Sequence, residues 1–495
     1  MTPITFSSVC SGRPRSSLPR WLATSIAGLA MAIAIFAVPA TGIAADPPRS
    51  PNIILILADD LGYGHVGCFG QTKIQTPNLD RMAAEGMRFT QFYSGASVCA
   101  PARSTIMTGL HTGHTAVRNN GLNRHLYDED VTVAEVLKKA GYITGGFGKW
   151  GLGRETTPGV AVKQGFDTWY GQYSQTHAHF YYPAFLMRNL EQVPLPENLG
   201  KRRGKYAQDA IHEEAKQFIT ANKDRPFFAY LPYILPHVEL VAPPTARKAY
   251  EGRWPKISRA DPRPGYLGSD DAYAEYAGMI SHLDAQVGEI FTLLKNLKID
   301  DDTIVVFTSD NGPQGGAWTD IFVEFFDGNG PFRGMKGNVY EGGIRVPMIA
   351  RWPGRIRAGT VSEHVGYFPD LLPTFAELGG AQAHIPAPID GISFVPTLLS
   401  KPGQKQHDFL YWAAAGNKQD TLAQAVRWGQ WKAIRPKPNA AWELYDLQRD
   451  RAESRNVAAD HLQVVAQIER FAQQAHQPER VYGPAPKESA ASYVK

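Results

Sequence analysis

The segment from Cys99 to Gly109 contains a cysteine, a proline and an arginine in the pattern Cys-x-Pro-x-Arg. The fixed backbone angle of Pro101 suits the first turn of a helix, so Cys99 is expected just before a helix N-terminus, where anions are favoured. Arg103 follows one turn later on the same side, and its guanidinium can grip an oxyanion. The pattern predicts an anion-binding position beside Cys99, and an ordinary apolar cysteine before a helix is the alternative.

Asp59 and Asp60 directly follow one apolar segment of strand length, and Asp310 and Asn311 follow another. In open α/β sheets, ligands collect outside the carboxyl ends of the strands. Calcium takes six to eight oxygen ligands in irregular geometry, so these four side chains, with oxygens from residue 99 and a substrate, suit Ca²⁺, with Mg²⁺ as second choice. A strand-ending turn is the alternative for either pair alone, but two acidic strand ends favour a metal site.

Three cations, Arg103, Lys149 and Lys336, are expected on three separate loops. Each alone is more often a solvated surface charge, but beside a divalent cation they describe a pocket for a tetrahedral oxyanion. His237 directly follows Pro236 and can protonate a leaving oxygen, although a single histidine after a strand is more often structural.

The segments that must position these residues alternate between strands and helices. Strands are predicted at Asn52–Ala58, Met87–Tyr93, Tyr142–Phe147, Pro226–Tyr233 and Thr303–Thr308. Helices are predicted at Pro77–Glu85, from the capping box at Thr132 to Gly141, and at Lys205–Ala221, Asp271–Leu297 and Pro369–Leu378. This alternation is typical of an α/β domain with a mostly parallel central sheet flanked by helices.

The composition changes after a proline-rich linker, which suggests a second, smaller unit. Short strands at Phe409–Ala413, Ala425–Trp428 and Trp431–Ile434, followed by a helix at His461–Ala475, predict a small antiparallel sheet closed by a helix. We therefore divide the chain into residues 1–45, a catalytic domain at residues 46–404 and a C-terminal α+β subdomain at residues 405–495.

Residues 1–45 have the features of a cleaved secretory signal. The segment contains three arginines and no acidic residue. An apolar run of about 17 residues follows the arginines, and small residues follow this run. This run is shorter than the roughly 20 residues of a membrane span, so we expect export to the periplasm or secretion, with no stable membrane insertion after cleavage.

Charge and cysteine content exclude two broad classes of protein. Outside the first 45 residues, basic and acidic residues differ by one, so bulk charge gives no support for a nucleic-acid partner. Cys10 would leave with the signal, and the two remaining cysteines, Cys68 and Cys99, are too few for a disulfide framework.

The run from Cys99 to Gly109 resembles the active-site segment of the type I sulfatases, in which Cys-x-Pro-x-Arg is the signature for oxidation of the cysteine to formylglycine. The resemblance covers nearly the whole mature chain. It implies an alkaline-phosphatase-like α/β fold, a bound calcium ion and maturation by a formylglycine-generating enzyme.

The resemblance also implies a role for each residue introduced above. The metal-binding residues fall on Asp59, Asp60, Cys99, Asp310 and Asn311. The catalytic residues fall on Cys99, Arg103, Lys149, His237 and Lys336. A motif of the family's C-terminal subdomain is similar to residues 443–447.

A cysteine thiolate is poorly suited to attack a sulfate ester, because it would leave a stable sulfur adduct. An aldehyde hydrate at residue 99 would solve this problem. One hydroxyl, acidified by the metal, would attack sulfur in line and the alcohol would leave; deprotonation of the other hydroxyl would then expel sulfate and restore the aldehyde.

The chain departs from the family pattern at Gly151, where the motif Gly-Lys-Trp-His-Leu-Gly normally places a histidine that contacts the formylglycine hydroxyl. His114, His177 and His179 are possible substitutes, although loop histidines more often have no catalytic duty. The loop 175–183 has the aromatic character of a sugar platform, to which Arg118 can contribute.

The preferred interpretation is a sulfuric ester hydrolase that acts on an organic sulfate ester, and we expect this ester to be that of a carbohydrate. A formylglycine-dependent phosphonate or phosphodiester hydrolase is the nearest alternative, because both substrates are tetrahedral anions. A calcium-dependent binder of sulfated glycans that has lost catalysis is the third, motivated by Gly151.

Overall fold

The strand Asn52–Ala58 is buried along its whole length and carries the core on both of its faces. This computed structural model describes residues 50–494 apart from 264, 317, 415–421, 487 and 489. The side chains of the strand alternate between two hydrophobic clusters. Ile54 and Ile56 join one cluster and Ile53 and Leu55 the other. A strand with both faces covered is typical of a parallel sheet between two layers of helices.

The described residues contain sixteen strands in three sheets. In chain order they are β1 (Asn52–Ala58), β2 (Met87–Phe89), β3 (Phe92–Tyr93), β4 (Ile143–Lys149), β5 (Thr168–Gln172), β6 (Phe185–Arg188), β7 (Glu191–Pro194), β8 (Phe227–Pro232), β9 (Thr303–Ser309), β10 (Met348–Arg351), β11 (Thr360–Ser362), β12 (Gly366–Tyr367), β13 (Leu410–Ala414), β14 (Ala423–Trp428), β15 (Trp431–Arg435) and β16 (Glu443–Asp446).

The α-helices of the same residues cover both faces of the largest sheet and one face of the C-terminal sheet. They are α1 (Pro77–Glu85), α2 (Cys99–Thr108), α3 (Val133–Lys139), α4 (Ala207–Ala221), α5 (Pro244–Lys248), α6 (Ala272–Asn296), α7 (Asp320–Phe325), α8 (Glu341–Ile344), α9 (Leu371–Leu378), α10 (Val395–Leu398) and α11 (Leu462–Ala475).

The largest sheet has ten strands in the order β11-β2-β10-β9-β1-β8-β4-β5-β6-β7. The central strands from β9 to β5 are mutually parallel, and antiparallel strands flank them on both sides. Ala58 lies opposite Ser309 in the register of β1 and β9, so the acidic residues that follow both strands lie at the same edge. The predicted fold class, a mostly parallel sheet flanked by helices with a small antiparallel sheet, is confirmed.

In the main part of the chain, two strands depart most from their predicted limits. The single strand predicted at Met87–Tyr93 is divided into β2 and β3, which belong to different sheets. The division falls at Thr90, whose carbonyl accepts hydrogen bonds from the Arg345 side chain and whose N–H donates to Ser362. Strand β4 runs two residues beyond its predicted end and includes Lys149.

The C-terminal sheet consists of β13 to β16, all antiparallel. One face packs against α11, and the other packs against β3 and α8 of the main part of the chain. The Trp412 indole N–H donates to the Ser94 carbonyl oxygen at 2.8 Å. The predicted antiparallel sheet and closing helix are present, and β16 is a fourth strand that the sequence pattern did not predict.

A buried ionic cluster joins the C-terminal sheet to α8. Lys432 on β15 lies 2.9 Å from carboxylate oxygens of both Glu341 and Glu453, and all three side chains are fully buried. Arg345 adds a second cation at 2.8 Å from Glu341. Because two buried carboxylates share these cations, the cluster is sensitive to the loss of either one.

We expect the substitution Lys432→Met to lower the free energy of unfolding by about 3–5 kcal/mol, since it leaves Glu341 and Glu453 buried without their shared cation. Equilibrium denaturation in urea checks this, with Lys405→Met, at an exposed position, as the matched control. Equal midpoints for the two variants would contradict the expectation.

The predicted signal at residues 1–45 lies outside the described residues, and no helix among those described is long and apolar enough to cross a membrane.

Candidate active site

Helix α2 begins at Cys99, and all ten of its residues are buried. The Cys99 thiol lies 3.4 Å from Oδ1 of Asp59, and the Ala100 N–H donates to the side-chain oxygen of Asn120 at 2.9 Å. Burial raises the pKa of Cys99 to about 12, and the charge of Asp59 adds to this. Cys99 and Cys68 are both free, so residue 99 is a protonated, unpaired thiol at a helix N-terminus.

Four polar side chains from the ends of β1 and β9 meet beside Cys99, and all are fully buried: Asp59, Asp60, Asp310 and Asn311. Asp60 has a positive φ of 67° and donates its backbone N–H to Oδ1 of Asp310 at 3.1 Å. The Asn311 amide donates to Oδ1 of Asp60 at 2.7 Å. A non-glycine residue in this conformation costs about 1–3 kcal/mol, which the surrounding contacts must offset.

Three cations pair with these acids. Arg103 lies 2.8 Å from Oδ2 of Asp310 and also donates to the carbonyl of Lys149. Lys149 lies 2.7 Å from Oδ2 of Asp59, and Lys336 lies 2.7 Å from Oδ2 of Asp60. The prediction that the three cations lie on three separate loops is wrong for two of them, because Arg103 is on helix α2 and Lys149 ends strand β4. Lys336 does lie on a loop, which is held in place where the Gly337 N–H donates to the Ser97 carbonyl oxygen.

The charges at this edge are uneven. Burial by itself would raise the pKa of Asp59, yet Lys149 and the other nearby cations hold it well below the usual value. Burial, together with the charge of Asp59, raises the pKa of Asp310 to about 7. Three carboxylates therefore face three cations, and Asp310 holds its negative charge less firmly than Asp59 does.

The donor set fits a hard divalent cation. Ligand atoms of Asp59, Asp60, Cys99 and His237 lie within 4.8 Å of one another. Oδ1 of Asn311 is buried and has no hydrogen-bond partner among the described residues. Carboxylate and amide oxygens are the ligands that Ca²⁺ and Mg²⁺ take, so the unpartnered Asn311 oxygen and the three clustered carboxylates agree with such an ion.

His237 borders the same pocket, with its Nε2 3.5 Å from Oδ2 of Asp60. Its Nδ1 lies 2.7 Å from the Val238 carbonyl oxygen, so the Nδ1–H donates there and Nε2 faces the pocket. The ring of His179 is stacked on His237 at a centroid distance of 4.7 Å.

Of the four residues predicted to bind substrate, only His179 reaches the pocket. His114 pairs with Asp390 at 2.9 Å, and Arg118 donates to the carbonyls of Thr115 and Gln477. The His177 ring bonds the Phe185 carbonyl and stacks on Tyr493. The structure therefore does not bring His114, His177 or Arg118 to the site.

Gln175 occupies the space left by the missing side chain at Gly151. A Cβ atom on Gly151, whose φ is 76°, would lie 2.4 Å from Nε2 of Gln175. This amide nitrogen is buried and has no hydrogen-bond partner among the described residues. Sequence reasoning placed Gln175 in a sugar-binding loop but missed its contact with Gly151, because no local signal links two positions that only the fold brings together.

The fold is shared with known enzymes. The crystal structure of Ps i-CgsB in complex with k-i-k-neocarrahexaose matches with a TM-score of 0.72 and 29% identity, covering 87% of this chain and 94% of that chain. N-acetylgalactosamine-6-sulfatase of Canis lupus familiaris is 33% identical over 447 residues, 84% of this chain and 77% of the relative. Arylsulfatase A of Homo sapiens is 33% identical over 425 residues, 78% of this chain and 75% of the relative.

Fold and site together define a hydrolase of the alkaline-phosphatase-like superfamily. A family model described as Sulfatase matches residues 51–381, and one described as N-sulphoglucosamine sulphohydrolase, C-terminal, matches residues 334–477. The chain belongs to the sulfatase family. The prediction of a sulfuric ester hydrolase is confirmed.

Proposed function

We propose that this chain removes sulfate from a carbohydrate sulfate ester. The main support is the buried pocket in which Cys99 lies against Asp59. In this pocket the side chains of Arg103, Lys149 and Lys336 are paired with the surrounding acids. Such a pocket suits a tetrahedral anion. The names of two similar proteins, an N-acetylgalactosamine-6-sulfatase and an enzyme bound to a neocarrahexaose, support a saccharide as the substrate.

We propose that a divalent cation, Ca²⁺ in preference to Mg²⁺, is held by the oxygens of Asp59, Asp60, Asp310 and Asn311. When bound, the ion supplies positive charge that stabilises negative charge on oxygen atoms. Lys149 and Lys336 offer ammonium groups to the sulfate oxygens. Arg103 keeps α2 in place through its hydrogen bonds to Asp310 and to the Lys149 carbonyl.

We propose that Cys99 is converted to formylglycine by a formylglycine-generating enzyme of the host. The Cys99 thiol is protonated and buried, which makes it a weak nucleophile. The hydrate of the aldehyde would supply a hydroxyl oxygen as the nucleophile in its place. Cys99 is the first residue of α2, so the position lies at the helix N-terminus, where negative charge is favoured.

Burial and the charge of Lys336 hold the pKa of the free His237 imidazole well below its usual value. We propose that His237 gains a proton at Nε2 when the anionic substrate binds, and that it then donates this proton to the leaving oxygen. The hydrogen bond from Nδ1 to Val238 fixes the ring so that Nε2 points into the pocket. Stacking on His179 limits rotation of the ring. A sugar hydroxyl is a poor leaving group without this proton, whereas a nitrophenolate leaves readily.

The substitution His237→Ala is therefore expected to lower kcat by about 10²-fold on a sugar sulfate and by less on para-nitrophenyl sulfate. Steady-state kinetics on both substrates measure the difference. His384→Ala, at an exposed position, is the control. Equal losses on the two substrates would rule out proton donation by His237.

We propose that Gln175 takes the place of the family's histidine at position 151 and donates a hydrogen bond to the nucleophile. The buried, unpartnered Nε2 beside Gly151 supports this role. The substitution Gln175→Ala is expected to lower kcat by about 10²-fold, the usual effect of losing one such donor.

The test measures kcat and melting temperature together, with the exposed Gln473→Ala as control. Gln175→Glu, which keeps the shape of the side chain but removes its NH₂ donor, is expected to lower kcat as Gln175→Ala does. A lower melting temperature with unchanged kcat would assign Gln175 a purely structural role.

The proposed activity is tested with protein whose residue 99 has been shown by mass spectrometry to be converted. Release of sulfate or phosphate is compared for sulfated saccharides and for matched aryl esters of sulfate, phosphate monoester and phosphate diester, all with calcium. We expect preferential sulfate release. Preference for the phosphorus esters would replace this proposal with a phosphonate or phosphodiester hydrolase.

We also propose export of the chain through the signal at residues 1–45, followed by a catalytic part at residues 46–404 and a subdomain at residues 405–495. The arginines and the apolar run of the first segment support export. Comparing the N-terminus of the mature protein with the predicted end of the signal tests this proposal.

A further inference from the structure

A chain of contacts leads outward from His237 to the protein surface. His179 stacks on His237, and its Nδ1 lies 2.6 Å from the Tyr266 hydroxyl. The backbone N–H of Glu239 donates to the His179 carbonyl oxygen at 3.2 Å. Tyr266 and Glu239 thus form a wall that is continuous with the pocket proposed for the sulfate group.

A cavity of about 590 Å³ lies on the outer side of this wall. Its lining includes three aromatic rings, those of Phe180, Tyr182 and Tyr266. Sites for drug-sized ligands usually measure roughly 300–1,000 Å³, so the cavity has room for a saccharide unit. Aromatic rings and hydrogen-bonding groups suit the faces and hydroxyls of a sugar ring.

The charge of the cavity is positive. Arg202 and Arg203 both line it and are exposed, and Glu239 is the one carboxylate among the described residues of the lining. Within the same part of the chain, Arg202 donates to two neutral carbonyls, those of Leu199 and Pro196. No hydrogen bond or ion pair of Arg203 is found among the described residues.

The Glu239 carboxylate does not neutralise these arginines by direct contact. It accepts the backbone N–H of Leu267 at 2.8 Å and that of Tyr181 at 3.4 Å. With two guanidinium groups and one engaged carboxylate, the cavity favours a ligand that brings its own negative charge.

We infer that this cavity binds the saccharide unit next to the one that carries the scissile sulfate, and that Arg203, assisted by Arg202, binds a second anionic group on that unit. The inference rests on the proposed sulfatase activity. It names the substrate class as an acidic oligosaccharide rather than an isolated sugar sulfate. The second anion is a carboxylate or a further sulfate, since a guanidinium pairs with either.

The experiment compares kcat/KM on para-nitrophenyl sulfate, on a chondroitin 6-sulfate tetrasaccharide and on the same tetrasaccharide with its carboxyl groups reduced. Inhibition of aryl sulfate turnover by each tetrasaccharide is measured as well. We expect Arg203→Ala to weaken tetrasaccharide binding at least tenfold more than it weakens turnover of the aryl ester, mainly through KM or the inhibition constant. Arg203→Lys is expected to recover part of the loss.

Arg449→Ala is the control, because the Arg449 side chain is 87% exposed and belongs to the C-terminal part of the chain. This variant should alter none of these values. An effect of Arg203→Ala that disappears with the reduced tetrasaccharide identifies a carboxylate, and one that persists identifies a sulfate. Equal effects on tetrasaccharide and aryl ester, or no effect, would overturn the inference while leaving the activity intact. No turnover of any sulfate ester would instead overturn the proposed function.

Discussion

Replacing Cys99 by alanine is expected to reduce sulfate release by at least about 10⁴-fold while the protein stays folded. The loss follows because residue 99 is the proposed source of the nucleophile, and removal of a nucleophile costs orders of magnitude more than loss of a binding contact. Alanine also suits the first turn of α2, so the helix that carries Arg103 should form as before. Turnover of sulfate esters and the melting temperature are measured on the same preparation.

Cys68→Ala is the matched control, because Cys68 is the other free cysteine of the described residues. This variant should retain turnover. Activity of Cys99→Ala near that of the parent would refute the role of residue 99. A fully active protein in which mass spectrometry finds an unmodified thiol at residue 99 would refute the conversion of Cys99 to formylglycine. It would not refute the proposal that sulfate binds in this pocket.

Removal of divalent cations with a chelator is expected to abolish turnover and to lower the melting temperature. Asp59, Asp60 and Asp310 lie together in the buried pocket, and without a cation their mutual repulsion is offset only by the protein's own basic groups. A ligand that binds only the folded state at 100 times its Kd stabilises that state by about 2.7 kcal/mol.

Calcium added back to the chelated protein should restore both quantities, and magnesium serves as the comparison. Asp450→Asn, on an exposed loop of the C-terminal part, is a control carboxylate whose loss should leave the metal response unchanged. Full turnover in protein shown by elemental analysis to contain no metal would contradict the proposed metal site.

The strands that position the acids were predictable because burial on both faces produces continuous apolar runs. Asn52–Ala58 has the limits predicted, and β9 differs by one residue, so the prediction that Asp59 and Asp310 lie at one edge needed only the parallel register. The contacts of Lys149 and Lys336 with these acids depended on long-range packing, and the family resemblance supplied them in advance.

Other features depend on contacts that no local pattern records. The division between β2 and β3 arises because the Arg345 side chain donates hydrogen bonds to the carbonyl oxygen of Thr90. Arg345 is far from Thr90 in the sequence. His114 is held away from the site by Asp390, and Gln175 fills the space at Gly151. In each case the two partners are distant in sequence, so periodicity and spacing carry no information about them.

The buried cluster around Lys432 couples two parts of the molecule that look separable in the chain. Glu341, which opens α8, follows the loop of Lys336 by five positions and is held by a lysine and a glutamate from the C-terminal part. We therefore expect the loop and the C-terminal sheet to open together, so that local opening of the sheet also releases a wall of the pocket proposed for the sulfate group. A variant near residue 432 would then lower the fraction of competent enzyme molecules without changing the chemistry of those that remain closed.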